Sequence, residues 1–196
     1  MANYRAIAAV STSLAGLIRD RYPRDEFGPG LEIELYQTRN FETPMTEGFS
    51  LFLYRIAING SIRNLTYRRS PDGRRFRPSL PLDLYYMISP WAQDVEQQHR
   101  MLGWVMRLME DQSVLSSGHL NHYMPETDTF QPNEGIEIIC DPLSLSDYFT
   151  LWDKLRPRIP PSATYALRMV LIDSDVIISE GPPVQTRVMD MREVAQ

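Results

Sequence analysis

By residue type, the side chains of this chain that could do chemistry are three histidines, one cysteine and a scatter of aspartates. His119 and His122 stand three apart in GHLNHYM and could share one face of a helix. Two imidazoles make only half of a four-ligand zinc site, and Glu126 and Asp128 are the nearest carboxylates that could extend it. Polar residues on a surface turn are the plainer reading, so no metal is expected. Cys140 could be a nucleophile only if a histidine met it in space. Its place at the end of a strand suits a small buried residue as well, and burial is the expectation. Asp141, Asp147 and Asp153 lie on or beside a helix, where peptide dipoles favour carboxylates near the start. The chain holds no G-x-x-x-x-G-K-[ST], no G-x-G-x-x-G after a strand, no G-x-S-x-G, no H-E-x-x-H and no EF-hand loop. These residues therefore predict neither catalysis nor a cofactor.

The densest chemical feature is instead RNLTYRRSPDGRRFRP, residues 63–78, which carries Arg63, Arg68, Arg69, Arg74, Arg75 and Arg77. The whole chain is acidic, with a net charge of −5 and a pI near 5.2. Lys154 is the only lysine. A dedicated DNA-binding domain usually runs basic overall, and this balance argues against one. The loop has three readings. It could be a plain solvated turn. It could be a nucleic-acid patch, with Tyr67 and Phe76 as stacking partners, although basic residues are sparse elsewhere. It could be a protein-docking loop, where planar guanidinium groups give geometric specificity against an acidic partner. The docking loop is favoured.

The elements that must position this loop are legible. Residues 3–21 carry Ile7, Val10, Leu14, Leu17 and Ile18 at helical spacing and end before Pro23. LEIELY (31–36) alternates as a short strand. GFSLFLYRIAI (48–58) reads as an interior strand, with Leu51 and Leu53 on one face and Phe52, Tyr54, Ile56 and Ile58 on the other. LPLDLYYMIS (80–89) aligns Leu80, Leu82, Leu84, Tyr86 and Ile88 on one face. The arginine stretch joins these two strands and contains the turn pair Asp72-Gly73, so it predicts a projecting hairpin. Residues 92–111 read as a helix whose core stripe is Val95, Leu102, Val105, Met106 and Met109. Residues 112–135 read as loop-rich, with Gly118, Pro125, Pro132 and Gly135, and 136–140 as a strand. DPLSLSDYFTLWDKL (141–155) reads as a helix started by Pro142 and a Ser144/Asp147 capping box, with Leu145, Phe149, Trp152 and Leu155 inward. Residues 164–173 form another strand, and 183–189 an edge strand behind Gly181-Pro182-Pro183.

Length and composition fit one globular domain of 196 residues that are 43% hydrophobic. With one cysteine no intrachain disulfide can form, and no window approaches the ~20 apolar residues of a membrane span. The expected class is a single α+β domain, a mixed but mostly antiparallel sheet packed by about three helices. No membrane partner is expected, and synthesis in the cytoplasm is.

Six segments, in order, give the chain a family resemblance. They are NYRAIAAVSTSL; SLFLYRIAINGSIRN, with Leu51, Phe52, Leu53, Tyr54, Asn59, Arg63 and Asn64; DGRRFRPSLPLDLYYMIS; HRMLGWVMRLMED followed by SVLS; DPLSLSDYFTLWDKL; and TYALRMVLIDSD. Together they resemble the cap, or tail-terminator, proteins of extracellular contractile injection systems, of the kind encoded as the sixteenth gene products of the Photorhabdus virulence cassette and the antifeeding prophage. The resemblance implies a terminator domain over 1–178; residues 179–196, by their own pattern an edge strand and tail, depart from the family. The resemblance also implies a structural protein that forms a hexameric ring on the distal end of tube and sheath and stops their polymerisation. The implied partners are its own copies, the sheath and the inner tube, with a length-measuring protein left open and no nucleic acid. Assembly in the bacterial cytoplasm would precede incorporation into the particle. The candidate contacts are the six arginines above and, by strand addition at an unpaired sheet edge, Val184, Thr186 and Val188. The alternatives are a nucleic-acid-binding adaptor that uses the arginine loop, and a phage tail terminator that joins tail to head.

Overall fold

The computed structural model describes residues 3–62, 64–124, 129–155 and 160–178, apart from the side chain of Trp152. Helix α1 (Ala6–Arg21) runs until Tyr22, whose extended backbone suits the residue before Pro23. A short helix α2 (Arg24–Phe27) leads to β1 (Glu32–Tyr36). Next come β2 (Gly48–Ile58), the two-residue strands β3 (Arg68–Arg69) and β4 (Arg75–Phe76), and β5 (Leu80–Trp91). Helix α3 (Val95–Asp111) is capped by the Asp94 carboxylate, which accepts the Gln97 N–H. It is followed by β6 (Val114–Ser116), α4 (Ser117–His122), β7 (Gly135–Cys140), α5 (Leu145–Leu155) and β8 (Ala163–Ile172).

Six strands form one sheet in the order β1-β2-β5-β8-β7-β6. Only β1 and β2 run parallel; every other neighbouring pair is antiparallel. The fold is thus α+β with a mixed, mostly antiparallel sheet, as the patterning predicts. Three long helices carry most of the packing, and α2 and α4 add two short ones. The parallel pair depends on Gly48, whose φ is +148° and where a Cβ would lie 2.0 Å from the Glu32 carbonyl oxygen. A side chain there would separate β1 from β2. Among the described residues the sheet's two edges are β1, with exposed Glu32 and Glu34, and the three-residue β6.

The main core lies between one sheet face and the helices α1, α3 and α4. Val10, Leu14, Leu17, Met101, Val105 and Met109 meet Phe49, Leu51, Leu84, Tyr86, Ile88 and Leu167 there. Ser11 and Tyr86 share a buried hydroxyl–hydroxyl hydrogen bond of 2.7 Å that fixes α1 on β5. On the opposite face a smaller core of Tyr36, Phe41, Met87, Trp91 and Leu155 covers only one end of the sheet.

Several expectations need correction. The α3 stripe is Met101, Val105 and Met109, spaced i, i+4, i+8, while Val95 and Met106 are exposed. A bulge between Leu53 and Arg55 shifts the β2 register by one. Beyond it Ile56 and Ile58 pair with Leu84 and Leu82, so they return to the face of Leu51 and Leu53 and lie half exposed at its margin. Leu80 is exposed at the start of β5 rather than buried with the strand's other leucines. Residues 112–135 are not all loop: β6 and α4 form there, α4 with Ser116 as its N-cap. Helix α5 begins as expected, with the Asp147 N–H donating to Ser144 Oγ and the hydroxyl donating to the Asp147 carboxylate. Its inward residues, however, are Leu151 and Leu155, and Leu145 and Phe149 point outward at 75% and 61% exposure. Cys140 is exposed, because the strand end it occupies lies beyond both cores.

Candidate docking interface

The arginine loop is built on a buried polar base. Asn59 follows β2 directly, is 3% exposed, and donates through Nδ2 to both oxygens of the buried Asp83 carboxylate, at 3.0 and 3.2 Å. The same carboxylate accepts the Met169 N–H and faces Arg168 Nε at 3.7 Å. Met169 has a φ of +69°, a left-handed conformation that a non-glycine residue holds only at some cost. This bulge in β8 brings its amide to Asp83. The Asn59 N–H donates to the Pro81 carbonyl oxygen, and Asn59 Oδ1 accepts the Ser61 N–H. The base thereby fixes both the exit from β2 and the entry to β5.

Above it, β3 and β4 pair Arg68 with Phe76 and Arg69 with Arg75. The turn is the expected Asp72-Gly73, with Gly73 at φ +85° and the Ser70 N–H donating to the Arg74 carbonyl oxygen. The Asp72 carboxylate accepts the Arg74 N–H and pairs with its guanidinium, which holds its pKa below the usual value. Guanidinium groups stack on both aromatic rings. Arg68 lies 4.4 Å and Arg74 5.9 Å from the Phe76 centroid, and Arg75 lies 4.8 Å and Arg69 5.4 Å from that of Tyr67. The hairpin is therefore stiffened from within.

It does not project freely, as the sequence reading expects. The segment after β8 folds back along it: the Arg77 N–H donates to the Val176 carbonyl oxygen, the Ile178 N–H donates to that of Arg75, and Phe76 bridges to Ile177. Arg68 is absorbed by this contact, with Nε 3.5 Å from Asp173 and its guanidinium donating to the Ser174 carbonyl oxygen. Exposed positive charge is carried by Arg69, Arg74 and Arg77, while Arg75 is half buried. An open groove of about 610 Å³ runs beside the hairpin, between Arg68 and Arg69 on one wall and Phe130 and Glu134 on the other. Of the remaining candidate contacts, Arg63, Val184, Thr186 and Val188 lie outside the described residues.

The other chemically capable residues do not converge. His119 and His122 sit on α4 beside Tyr123, whose hydroxyl bonds Asp20. Among the described residues no group of three or more His, Cys, Asp or Glu could hold a metal. Partial desolvation by its neighbours pushes the pKa of the exposed Cys140 thiol up, and Glu110 and Asp141 add to it, which is the opposite of nucleophile activation. No helix of the described residues is long and apolar enough to cross a membrane.

Sequence reasoning missed Asn59 and Asp83 as the base of the hairpin. Period-two alternation does put Asp83 opposite Leu82 and Leu84, but its partners Asn59 and Met169 come from beyond its own strand.

A family model described as the Pvc16 N-terminal domain matches residues 9–186. No curated protein sequence matches the chain. Two solved structures share the fold. One is the PVC sheath/tube terminator of an extracellular contractile injection system in the extended state, at 16% identity and a TM-score of 0.61, over 96% of this chain and 64% of that one. The other is the anti-feeding prophage cap, a tube-terminating cap, at 17% identity and a TM-score of 0.56, over 93% of this chain and 60% of that one. The chain thus spans less than two thirds of the length of either terminator.

Proposed function

Because the chain belongs to the Pvc16 N-terminal domain family, we propose that it caps a contractile injection particle and ends the growth of its tube and sheath. The observation that carries this reading is the agreement of the family model, over 9–186, with a fold common to two terminators. The role is architectural, without a reaction. A helical polymer presents the same unsatisfied surface after each added layer. A subunit that fits that surface below and offers a different one above brings growth to a stop.

In this proposal six copies form a ring over tube and sheath, assembled in the cytoplasm and carried in the finished particle. The terminator domain is 1–178, and 179–196 supplies a further contact through Val184, Thr186 and Val188. The hairpin arginines Arg63, Arg69, Arg74, Arg75 and Arg77 form the charged contact, and Arg68 holds the hairpin to Asp173. A stiff hairpin on a buried base suits docking, because little conformational freedom is lost on binding.

Electron microscopy of particles from cells with and without the gene tests the proposal. The expected result is overlong, ragged or missing sheaths without it, restored when the gene is returned. Uniform, capped particles in both strains would remove the terminating role.

A further inference from the structure

Two surfaces of this molecule are unlike the rest, and they complement each other. The hairpin, over its described residues 64–78, carries five arginines against one aspartate. Helix α5 and its lead-in, residues 141–155, carry Asp141, Asp147 and Asp153 against Lys154 alone. That helix also exposes Leu145 and Phe149 to solvent, at 75% and 61%. Isolated exposed apolar residues are ordinary. Two large ones a single turn apart, flanked by carboxylates, match the anatomy of an interface with an apolar centre and a charged rim. The hairpin offers the converse surface: guanidinium groups stacked on Tyr67 and Phe76, with apolar rings beneath the charge.

The two surfaces cannot meet within one chain. Helix α5 packs through Leu151 and Leu155 on the cluster that holds Met87 and Trp91. The hairpin leaves the sheet at the other end of the same strand pair, where Ile58 pairs with Leu82. It is tied down there by Val176, Ile177 and Ile178. From Met87 to Leu82 is on the order of 17 Å along the strand, and the hairpin is held at the Leu82 end by its contacts with residues 173–178. A contact between complementary patches at opposite ends of a subunit is heterologous, and copies joined in this way close into a ring when the rotation allows.

We infer that the outward face of α5 (Leu145, Phe149, Asp153), with Asp147 at its first turn, receives the arginine hairpin of a second copy of this chain, head to tail. This rests on the terminator reading and names which surfaces join neighbouring subunits of the cap.

The test uses full-length chains expressed with the particle, with the capped fraction counted by electron microscopy. Arg74→Glu with Arg77→Glu, and separately Asp147→Arg with Asp153→Arg, are each expected to lower the capped fraction at least about tenfold, as unpaired like charges meet across the joint. All four substitutions in one chain are expected to restore it. Thermal melting of each purified variant separates a lost contact from a lost fold. A second measurement avoids charge reversal altogether: a Cys140→Ser chain with Arg77→Cys and Phe149→Cys should form a ladder of disulfide-linked oligomers on oxidation of the particles, and neither single cysteine should. Normal capping by both reversed variants, or the absence of a ladder, overturns the inference and leaves the terminator reading standing. So does loss on hairpin reversal that the fourfold variant does not rescue, since the hairpin then seats on tube or sheath. Salt-dependent DNA binding by a hairpin whose reversal spares capping would assign it to nucleic acid instead. Absence of the chain from particle ends would remove the terminator reading itself, and this inference with it.

Discussion

The Asp83 carboxylate carries more of the local structure than any arginine above it. It accepts from Asn59 and from the left-handed Met169, and it faces the Arg168 guanidinium at 3.7 Å. Asp83→Ala would leave a buried amide without its acceptor, and an expected loss of about 2–3 kcal/mol would appear in urea unfolding. At exposed Arg77, substitution should change stability by less than about 0.5 kcal/mol. His119 gives the molecule a pH response. Burial lowers its pKa from the ordinary 6.5, offset in part by a backbone hydrogen bond at Ser13 and by Asp20, while His122 and Arg21 lower it further. The unfolded chain therefore binds the proton more readily. The stability this residue contributes is complete above pH 6.5 and is lost as pH falls through the depressed folded value. Melting temperatures of the wild type and His119→Gln between pH 8 and pH 5 (about the histidine range) should show the steeper acid-side fall in the wild type. Neither residue's role could be read from the sequence. Asp83 looks like an outward polar residue on an alternating strand, and His119 looks like part of a turn, because a six-residue helix leaves too little periodicity to detect.

Among the elements, the long strands were legible because their apolar residues continue on both sides, as an interior position demands. The parallel pairing of β1 with β2 was not, since it depends on the backbone at Gly48 rather than on a hydrophobic period. Helix α5 shows the limit most clearly. Its apolar residues Leu145, Phe149, Trp152 and Leu155 read as one inward stripe. Of these the sheet takes Leu155, together with Leu151, and leaves the large apolar side chains of Leu145 and Phe149 in solvent. Hydrophobic spacing finds the face that wants burial, and that face is the monomer's core only when the monomer is the whole folding unit. Leu145→Ser with Phe149→Ser should therefore leave the melting temperature of the isolated chain almost unchanged. Leu155→Ala, at 7% exposure, should cost about 2–4 kcal/mol. Equal losses for the two would mean that the outward residues are part of the monomer's own packing.

For the molecule as a whole, the described residues, which end at Ile178, hold a six-stranded sheet and two hydrophobic cores. A chain cut after Ile178 is expected to melt within a few degrees of the full chain, a shift of about 1 kcal/mol or less, while failing to cap particles. Loss of folding would instead assign the tail to the domain. Fold class was legible at this scale because the order of elements alone restricts the architecture. The site was only half legible: charge density located the hairpin, but its docking against residues 173–178 links positions about a hundred apart in sequence, which local patterning cannot register. The sheet's margins bear on supply. One outer strand displays Glu32 and Glu34, and the other is three residues long. Two copies meeting along the first would bring carboxylates together, and the second offers too little backbone to hold a partner. On the capping role proposed above, the chain would have to wait in excess of the ends it closes. Margins of this kind would let its copies accumulate without pairing edge to edge.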